Sequence, residues 1–380
     1  MKNNIVFVIQ DCRLGGGTAS LSSLYNIIKS DYDITVYQLT RSGTAKVSYS
    51  EAIEIAPHFC DYYYGNLREQ KGFRKFFAAI VKVLSRIYPD IIDWSTNHFA
   101  KKHKDADIII SFGEGAAADY TSRIPLMKRI TWIHYDISHY ISNAKDLTLY
   151  SKFDKIVCVA DKIAKKMTEM YPTLRGKVTG IHNVIDYKRV IDLAAVPIPK
   201  SEQSLLENHF TIVSVGRICK VKRFSLIPSI AADLKRKGMD FRWIIIGPET
   251  DASEVDLLKN EINRFGLSDH VIAVGEKTNP YPYIKRAGLL VSTSETEACP
   301  MVFAESKILE VPVISANFLT ADEFIDNDVD GSVCQISDMC SVICDVISGA
   351  KEYNCKNSKD FIISYNEDIL VKFRNLVNFF

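Results

Sequence analysis

The chain has 380 residues, a net charge of +1, 47% hydrophobic residues and 24% charged residues, which is an ordinary composition for a globular enzyme. No apolar run is long enough to span a bilayer, and the apolar stretch near Met1 is too short for a signal peptide. The nine cysteines are dispersed without zinc-like spacing, so we expect reduced thiols in a cytoplasmic protein. The length predicts two domains.

Charge is distributed unevenly along the chain. Residues 1–185 contain 25 lysines and arginines against 18 aspartates and glutamates, a balance of +7, so the remaining residues carry −6. A basic first half indicates an anionic surface or partner for that half.

Short apolar runs alternate with helical patterns in two successive blocks, which predicts an α/β fold with doubly wound parallel sheets. In the first block, the glycine loop Gly15–Gly17 separates the first strand from a helix over Ala19–Ser30. The predicted strands of this block are Ile5–Gln10, Ile34–Leu39, Asp107–Phe112, Arg129–Ile133 and Lys155–Ala160. Those of the second block are Thr211–Val215, Trp243–Ile246, Val271–Val274, Leu289–Ser292 and Val313–Ser315.

The composition between the blocks suits a linker. Residues 191–208 contain Pro197, Pro199 and a polar run. We therefore expect an N-terminal domain over 1–190 and a C-terminal domain over 209–358. The last segment, 359–380, is predicted to be a helix.

Two glutamates eight positions apart surround the start of a predicted helix. Glu297 lies in the loop after a strand, and Glu305 lies more than one turn inside a helix that begins near Pro300. Backbone N–H groups at such a helix start suit a phosphate, and carboxylates suit the hydroxyls of a sugar or a ribose. The alternative is a solvated acidic loop ahead of a core helix.

A strand that ends in Gly-Arg precedes this segment by about 80 residues. It places Arg217 at the carboxyl edge of the sheet, and Lys222 follows five residues later. An arginine fork and a lysine can neutralise a diphosphate. The alternative is a surface arginine and a solvated lysine.

These two elements, in this order and spacing, resemble those of the retaining glycosyltransferases of family 4, including those of bacterial surface polysaccharides. The resemblance covers roughly 100 residues and implies the GT-B fold, in which two Rossmann-like, doubly wound domains face a central cleft. It also implies that the final helix, 359–380, completes the N-terminal domain.

The resemblance assigns roles to these residues. Glu305 would hold the ribose hydroxyls, Glu297 would contact the transferred sugar, and Arg217 and Lys222 would bind the diphosphate. Donor-binding residues on the following helix start would be Cys299, Pro300, Met301 and Val302, with backbone N–H groups over 299–303 contacting phosphate and sugar oxygens. Ala298 and Glu310 replace small residues usual in the family, and the first replacement affects the sugar pocket.

The first block holds further candidates at strand ends. The resemblance places His134 near the transferred sugar and the Gly16–Gly17 loop near the donor phosphates, whereas a structural histidine and a plain tight turn are the alternatives. Glu114 is a weaker candidate for the acceptor. Asn183 resembles a family element at the domain junction and is interpreted as structural or hinge-related.

Residues 68–87 form a basic amphipathic segment in which aromatic and aliphatic side chains recur at helical spacing. Cations around an aromatic face suit an anionic membrane surface, and a core-packing helix with a solvated face is the alternative. The six cations are Arg68, Lys71, Arg74, Lys75, Lys82 and Arg86, against one acid, Glu69.

The resemblance implies transfer of a hexosyl unit from a nucleotide sugar, most simply a UDP-sugar, to a glycan or lipid-linked acceptor in polysaccharide biosynthesis. We expect no cofactor, no metal and no nucleic-acid partner, and a cytoplasmic enzyme that associates peripherally with the inner face of the cell membrane. The alternatives are a non-hydrolysing UDP-sugar epimerase of the same fold and a non-catalytic nucleotide-sugar-binding protein.

Overall fold

A computed structural model describes the backbone of residues 2–13, 15–43, 47–65, 72–87, 90–125, 127–136, 144–355 and 358–378, without the side chains of 74, 85–87, 90–91, 144–146 and 358–361. The chain divides into two compact units. The first comprises Met1–Val184 with Asp368–Phe380, and the second comprises Ile185–Glu367.

The described part of the first unit contains a seven-stranded parallel sheet. Its order is β3-β2-β1-β4-β5-β6-β7. The strands are β1 (Asn4–Ile9), β2 (Asp33–Gln38), β3 (Ile53–Ile55), β4 (Ile108–Phe112), β5 (Arg129–Ile133), β6 (Lys155–Cys158) and β7 (Val178–Gly180). Strands β3 and β7 are three residues long and lie at the two edges, and such short, half-buried segments give little periodic signal, so they were not predicted.

The second unit contains a six-stranded parallel sheet with the order β10-β9-β8-β11-β12-β13. Its strands are β8 (Phe210–Val215), β9 (Phe241–Ile246), β10 (Val271–Ala273), β11 (Leu289–Ser292), β12 (Val313–Ala316) and β13 (Gly331–Cys334). Both faces of this sheet are buried, since Trp243 and Ile245 of β9 belong to one hydrophobic cluster and Ile244 and Ile246 to another. Near-continuous apolar runs are the expected sequence of such strands.

Helices cover the connections between strands. In the first unit they are α1 (Gly16–Ile28), α2 (His58–Tyr64), α3 (Gly72–Ile87), α4 (Asp90–Lys102), α5 (Ala116–Ser122), α6 (Ala144–Ser151) and α7 (Asp161–Met170). In the second they are α8 (Tyr187–Ala194), α9 (Lys200–Gln203), α10 (Ile227–Arg236), α11 (Ala252–Arg264), α12 (Tyr281–Ile284), α13 (Met301–Ile308), α14 (Ala321–Phe324) and α15 (Ile336–Ile347). The last helix, α16 (Ser358–Asn378), begins in the second unit, and its segment from Asp368 belongs to the first.

The boundary between the units differs from the sequence expectation. It lies after Val184 rather than after residue 190, and the segment 191–208, expected to be a linker, lies inside the second unit and holds α9. The buried Asn366 side chain fixes this start of the second unit: its amide nitrogen donates to Ile185 O (2.8 Å) and its oxygen accepts from Ile185 N (3.0 Å). The prolines and polar residues of 191–208 therefore belong to a connection inside the second unit and not to a linker between the units.

Strand order reverses once in each sheet. In the first sheet the chain moves outward from β1 to β3 and then returns to add β4 on the other side of β1. The second sheet does the same with β8 and β11. Ligands of doubly wound proteins bind beyond the carboxyl ends of the strands at such a reversal. We therefore expect ligands to bind at two places: the loops that follow β1 and β4, and the loops that follow β8 and β11.

Candidate functional site

The loop after β8 brings Lys222 back toward the end of its own strand. Gly216 has φ 154°, and a Cβ added there would lie 3.0 Å from Cε of Lys222. Glycine at this position lets the lysine side chain lie against the backbone. The lysine is thereby aimed at the loop that follows β11.

Lys222 and Glu297 meet at the reversal point of the second sheet. Lys222 Nζ donates a hydrogen bond to Glu297 Oε1, which also accepts one from Ser294 Oγ at 2.7 Å. Thr320 Oγ1 donates to the backbone oxygen of Glu297 at 2.9 Å. The two charged side chains are 19% and 17% exposed, so the ion pair is largely shielded from solvent. Both charged residues were predicted from the sequence, whereas Ser294 and Thr320 were not, because no spacing rule indicates their contacts.

Arg217 and its neighbour in the basic run, Arg223, have different surroundings. Arg217 is exposed beyond the end of β8. Arg223 adopts φ 50° and donates to the backbone oxygens of Thr293 and Ser294, both at 2.9 Å. Arg223 thus holds the loop after β11 in place, a role the sequence did not indicate, while Arg217 remains open to solvent.

Glu305 lies just over one turn inside α13, as its position in the sequence predicted. Tyr281 on α12 donates a hydrogen bond from its hydroxyl to Glu305 Oε1 at 2.9 Å. Burial raises the pKa of the Glu305 carboxyl above its ordinary value, and the Tyr281 hydroxyl and the Arg189 guanidinium oppose that rise. Tyr281, the buried partner of Glu305, was not predicted from the sequence.

The helix start predicted near Pro300 is one residue later. Pro300 is the residue that precedes α13, and Met301 and Val302 occupy the first two helical positions, whose N–H groups have no intrahelical acceptor. The expectation that all N–H groups over 299–303 are available is wrong, because Pro300 has none and Phe303 N donates to Pro300 O at 3.0 Å. Within the helix, the backbone N–H groups of Met301 and Val302 are therefore the ones that can bind an anion.

In the first unit, Glu114 and His134 are adjacent at the ends of β4 and β5. Glu114 Oε1 accepts hydrogen bonds from the backbone N–H groups of His134 and of Tyr135, the latter at 3.2 Å. Burial raises the pKa of Glu114 to about 7 and lowers that of His134 to about 3. Within the described residues, the buried His134 Nε2 has no hydrogen-bonding partner. The imidazole is therefore neutral near pH 7.

A cavity of about 300 Å³ lies at the reversal point of the first sheet. The loop after β1, the start of α1 and the loop after β4 line it, and Gly17 and Glu114 are among the lining residues. The glycine loop was expected to precede its helix, but Gly16 and Gly17 form the first positions of α1. Cβ atoms added at these two glycines would meet nothing within 4 Å, so open space adjoins this backbone.

The basic segment 68–87 contains α3, and its aromatic face is exposed. Phe73, Phe76 and Phe77 are 74%, 61% and 40% exposed, and the rings of Phe73 and Phe77 lie 4.7 Å apart. Lys82 Nζ donates to Gly65 O at 3.2 Å. Arg68, Glu69 and Lys71 lie outside the described residues, as do the side chains of Arg74 and Arg86. An ordinary core-packing helix does not leave three adjacent phenylalanines exposed.

Part of the second unit matches a known protein family. Residues 198–348 match the family model described as glycosyl transferases group 1, and this range includes Arg217, Lys222, Glu297 and Glu305. This segment, less than half of the chain, is similar to the group 1 glycosyl transferases.

Proteins similar in sequence to this chain are distant relatives. An uncharacterized glycosyltransferase of Methanocaldococcus jannaschii is 26% identical over 173 residues, 45% of this chain and 42% of the relative, so this chain spans less than half the length of that protein. The amylovoran biosynthesis glycosyltransferase AmsD of Erwinia amylovora is 22% identical over 340 residues, 87% of this chain and 85% of the relative.

Solved structures share the fold. Anabaena HepE in complex with UDP and glucose has a TM-score of 0.75 and 15% identity, over 98% of this chain and 100% of that one. The lipopolysaccharide outer core galactosyltransferase WaaB has a TM-score of 0.70 and 17% identity, over 99% of each chain. The fold is thus GT-B, with two Rossmann-like units, as the resemblance implied. Among the helices that the structure describes, none combines the length and apolarity needed to cross a bilayer.

Proposed function

We propose that the chain is a retaining, metal-independent glycosyltransferase that transfers a hexosyl unit from a UDP-sugar to a glycan or lipid-linked acceptor in polysaccharide biosynthesis. The observation that carries the proposal is the meeting of Lys222 and Glu297 at the reversal point of the second sheet. A cation for phosphate and a carboxylate for sugar hydroxyls are adjacent there. The start of α13 follows within a few residues.

Each end of a nucleotide sugar has a partner in this arrangement. Arg217 and Lys222 would stabilise the diphosphate, whose charge grows as the glycosidic bond breaks, and the N–H groups of Met301 and Val302 would bind its oxygens. Glu297 would accept hydrogen bonds from the transferred sugar, and Glu305 from the ribose. Cations thereby take the place that a metal ion holds in other transferases.

The acceptor is assigned to the cavity of the first unit, which Glu114 and Gly17 line. In the retaining reaction, the acceptor hydroxyl would attack the anomeric carbon on the face from which the diphosphate departs, and a phosphate oxygen would take the hydroxyl proton. Because His134 is neutral at physiological pH, it would form a hydrogen bond with the sugar and would not supply a charge. Neighbouring Glu114 would contact the acceptor.

The printed names of the similar proteins support the substrate class. HepE was crystallised with UDP and glucose, and AmsD is named for the biosynthesis of amylovoran. A protein that builds such a polymer at the cytoplasmic side of the membrane would benefit from the exposed aromatic face and cations of α3, which suit peripheral attachment to anionic lipid.

A screen of sugar nucleotides tests the proposal. We expect UDP and one or more UDP-sugars to raise the melting temperature, because a ligand that binds only the native state stabilises it. Release of UDP should then require an acceptor glycan, and the new linkage should keep the donor's anomeric configuration. A new UDP-sugar formed without acceptor would identify an epimerase instead, and UDP binding without turnover on any glycan or lipid acceptor would identify a binding protein.

A further inference from the structure

The contact between Tyr281 and Glu305 joins two elements of the second unit that are 24 residues apart in sequence. Tyr281 opens the short helix α12 and is only 7% exposed. Its hydroxyl donates to Glu305 Oε1 at 2.9 Å. A buried tyrosine hydroxyl that reaches a carboxylate fixes that carboxylate in one rotamer.

The surroundings of Glu305 leave its second oxygen for another donor. Helix α8 packs against both α12 and α13, and two charged groups lie nearby: Arg189 on α8 and Asp186, the residue that precedes α8. Strand β12, which also packs against α13, consists of Val313–Ala316 and carries no ionisable group. Among the described residues, the hydrogen bond that the structure records for the Glu305 carboxylate is the one from Tyr281. An ionised carboxylate offers about four lone-pair sites, so acceptor capacity remains beside the bond to Tyr281.

We infer that Tyr281 is a positioning residue for ribose recognition: its hydroxyl holds Glu305 Oε1 so that the other oxygen accepts hydrogen bonds from the 2′ and 3′ hydroxyls of a nucleoside diphosphate. This inference rests on the proposed function, in which Glu305 binds the ribose. Tyr281 does not touch the nucleotide itself.

The bond has a second consequence for the charge of Glu305. Donation from Tyr281 favours the ionised carboxylate, and burial opposes ionisation. Removing the tyrosine hydroxyl therefore makes Glu305 easier to protonate. A protonated carboxyl is a poorer acceptor for two hydroxyls, so nucleotide affinity should be lost at a higher pH in the variant.

The experiment compares UDP with 2′,3′-dideoxy-UDP by isothermal titration calorimetry. Tyr281→Phe should weaken UDP binding by about 5- to 10-fold, the size of one hydrogen bond, and should change dideoxy-UDP binding by less than about twofold. Glu305→Ala should weaken UDP binding by about 10- to 150-fold. The matched control is Tyr283→Phe on the same helix, whose hydroxyl donates to Glu202 instead, and it should leave the ratio of the two affinities unchanged.

Two measurements can overturn the inference. An equal loss for both nucleotides in Tyr281→Phe would show a purely structural role, as would a pH dependence of UDP binding that matches the Tyr283→Phe control. Unchanged UDP affinity in Tyr281→Phe would remove the residue from recognition altogether. Failure of the proposed function gives a different result, because the unaltered protein would then bind neither nucleotide or would bind both equally.

Discussion

Lys222 Nζ and Glu297 Oε1 form a hydrogen bond that joins the loops after β8 and β11, 75 residues apart in sequence. Both side chains are less than one-fifth exposed, so each charge depends on the other for compensation. Removing one partner leaves a shielded charge unpaired, whereas removing both does not. The pair should therefore behave as one unit in stability measurements.

We expect Lys222→Met and Glu297→Gln each to lower the free energy of unfolding by about 1–2 kcal/mol, and the double variant to lose less than their sum. Urea unfolding of the four proteins measures the cycle. The solvent-exposed pair Lys259 and Glu249 in the same unit is the control, with an expected coupling below about 1 kcal/mol. Strictly additive losses at Lys222 and Glu297 would mean that the pair is not coupled in solution.

Arg217 offers a cleaner separation of activity from stability, because its side chain is exposed. We expect Arg217→Ala to change the free energy of unfolding by less than about 0.5 kcal/mol. Turnover of the UDP-sugar identified by the screen should fall about 100-fold, since the role proposed for Arg217 is to stabilise the charge that develops as the diphosphate leaves. Arg236→Ala, at another exposed arginine, should keep full turnover. A near-normal kcat in Arg217→Ala would remove this residue from the phosphate site.

The strands that the sequence located correctly are the buried ones. Runs such as Phe241–Ile246 face core on both sides and carry a continuous apolar signal. The strands that were not predicted, β3, β7 and β13, are three or four residues long and lie at the edges of their sheets, where this signal is weak. The observed starts of α13 and α1 differ from the predicted starts by one and three residues. Glycine favours loops in a propensity-based prediction, yet Gly16 and Gly17 occupy the first two positions of α1.

The site residues that could be predicted are those that lie close together in sequence or directly after a strand. Glu297 and Glu305 are close in sequence, and Arg217 follows a strand, so spacing alone locates them at a sheet edge. Tyr281, Thr320 and Arg223 reach the site from other elements, and only the three-dimensional packing shows that they support it.

Glu114 predicts a pH dependence of stability. Burial raises its pKa to about 7 in the folded state, above the ordinary value of 4.5, so the folded protein holds the proton more tightly than the unfolded chain. The contribution to stability is fully present below about pH 4.5 and is lost as the pH rises through 7, by about 3 kcal/mol in total.

We expect Glu114→Gln to remove this loss. The difference in unfolding free energy between the variant and the original protein should grow in favour of the variant from pH 5 to pH 8, as measured by urea unfolding at each pH. His134, whose pKa is lowered, contributes with the opposite sign over pH 3–6.5 and cancels in the difference. The control is Glu51→Gln at an exposed position. A difference that stays constant with pH would show that Glu114 remains ionised throughout.

The exposed face of α3 predicts that the protein associates with a membrane surface. Phe73 and Phe76 are 74% and 61% exposed, and Lys75 on the same helix is also exposed. Aromatic side chains can enter the interface of a bilayer, and each nearby cation adds about 1 kcal/mol of attraction to an anionic leaflet. Together they would hold the protein reversibly on a membrane that carries a lipid-linked acceptor.

Vesicle co-sedimentation measures this association. Binding should rise with the fraction of phosphatidylglycerol, fall with added salt, and drop at least about tenfold when Phe73 and Phe76 become serine, the loss of two interfacial aromatic contacts. Lys75→Glu should weaken binding at low salt and have less effect at high salt, because only the electrostatic part is screened. Trp94→Ser is the matched control, since this tryptophan is 62% exposed on α4, outside the basic segment, and its loss should leave vesicle binding unchanged. Equal recovery of the protein in the supernatant with neutral and anionic vesicles at low salt would exclude α3 as a membrane-binding helix, and it would leave the transferase proposal standing.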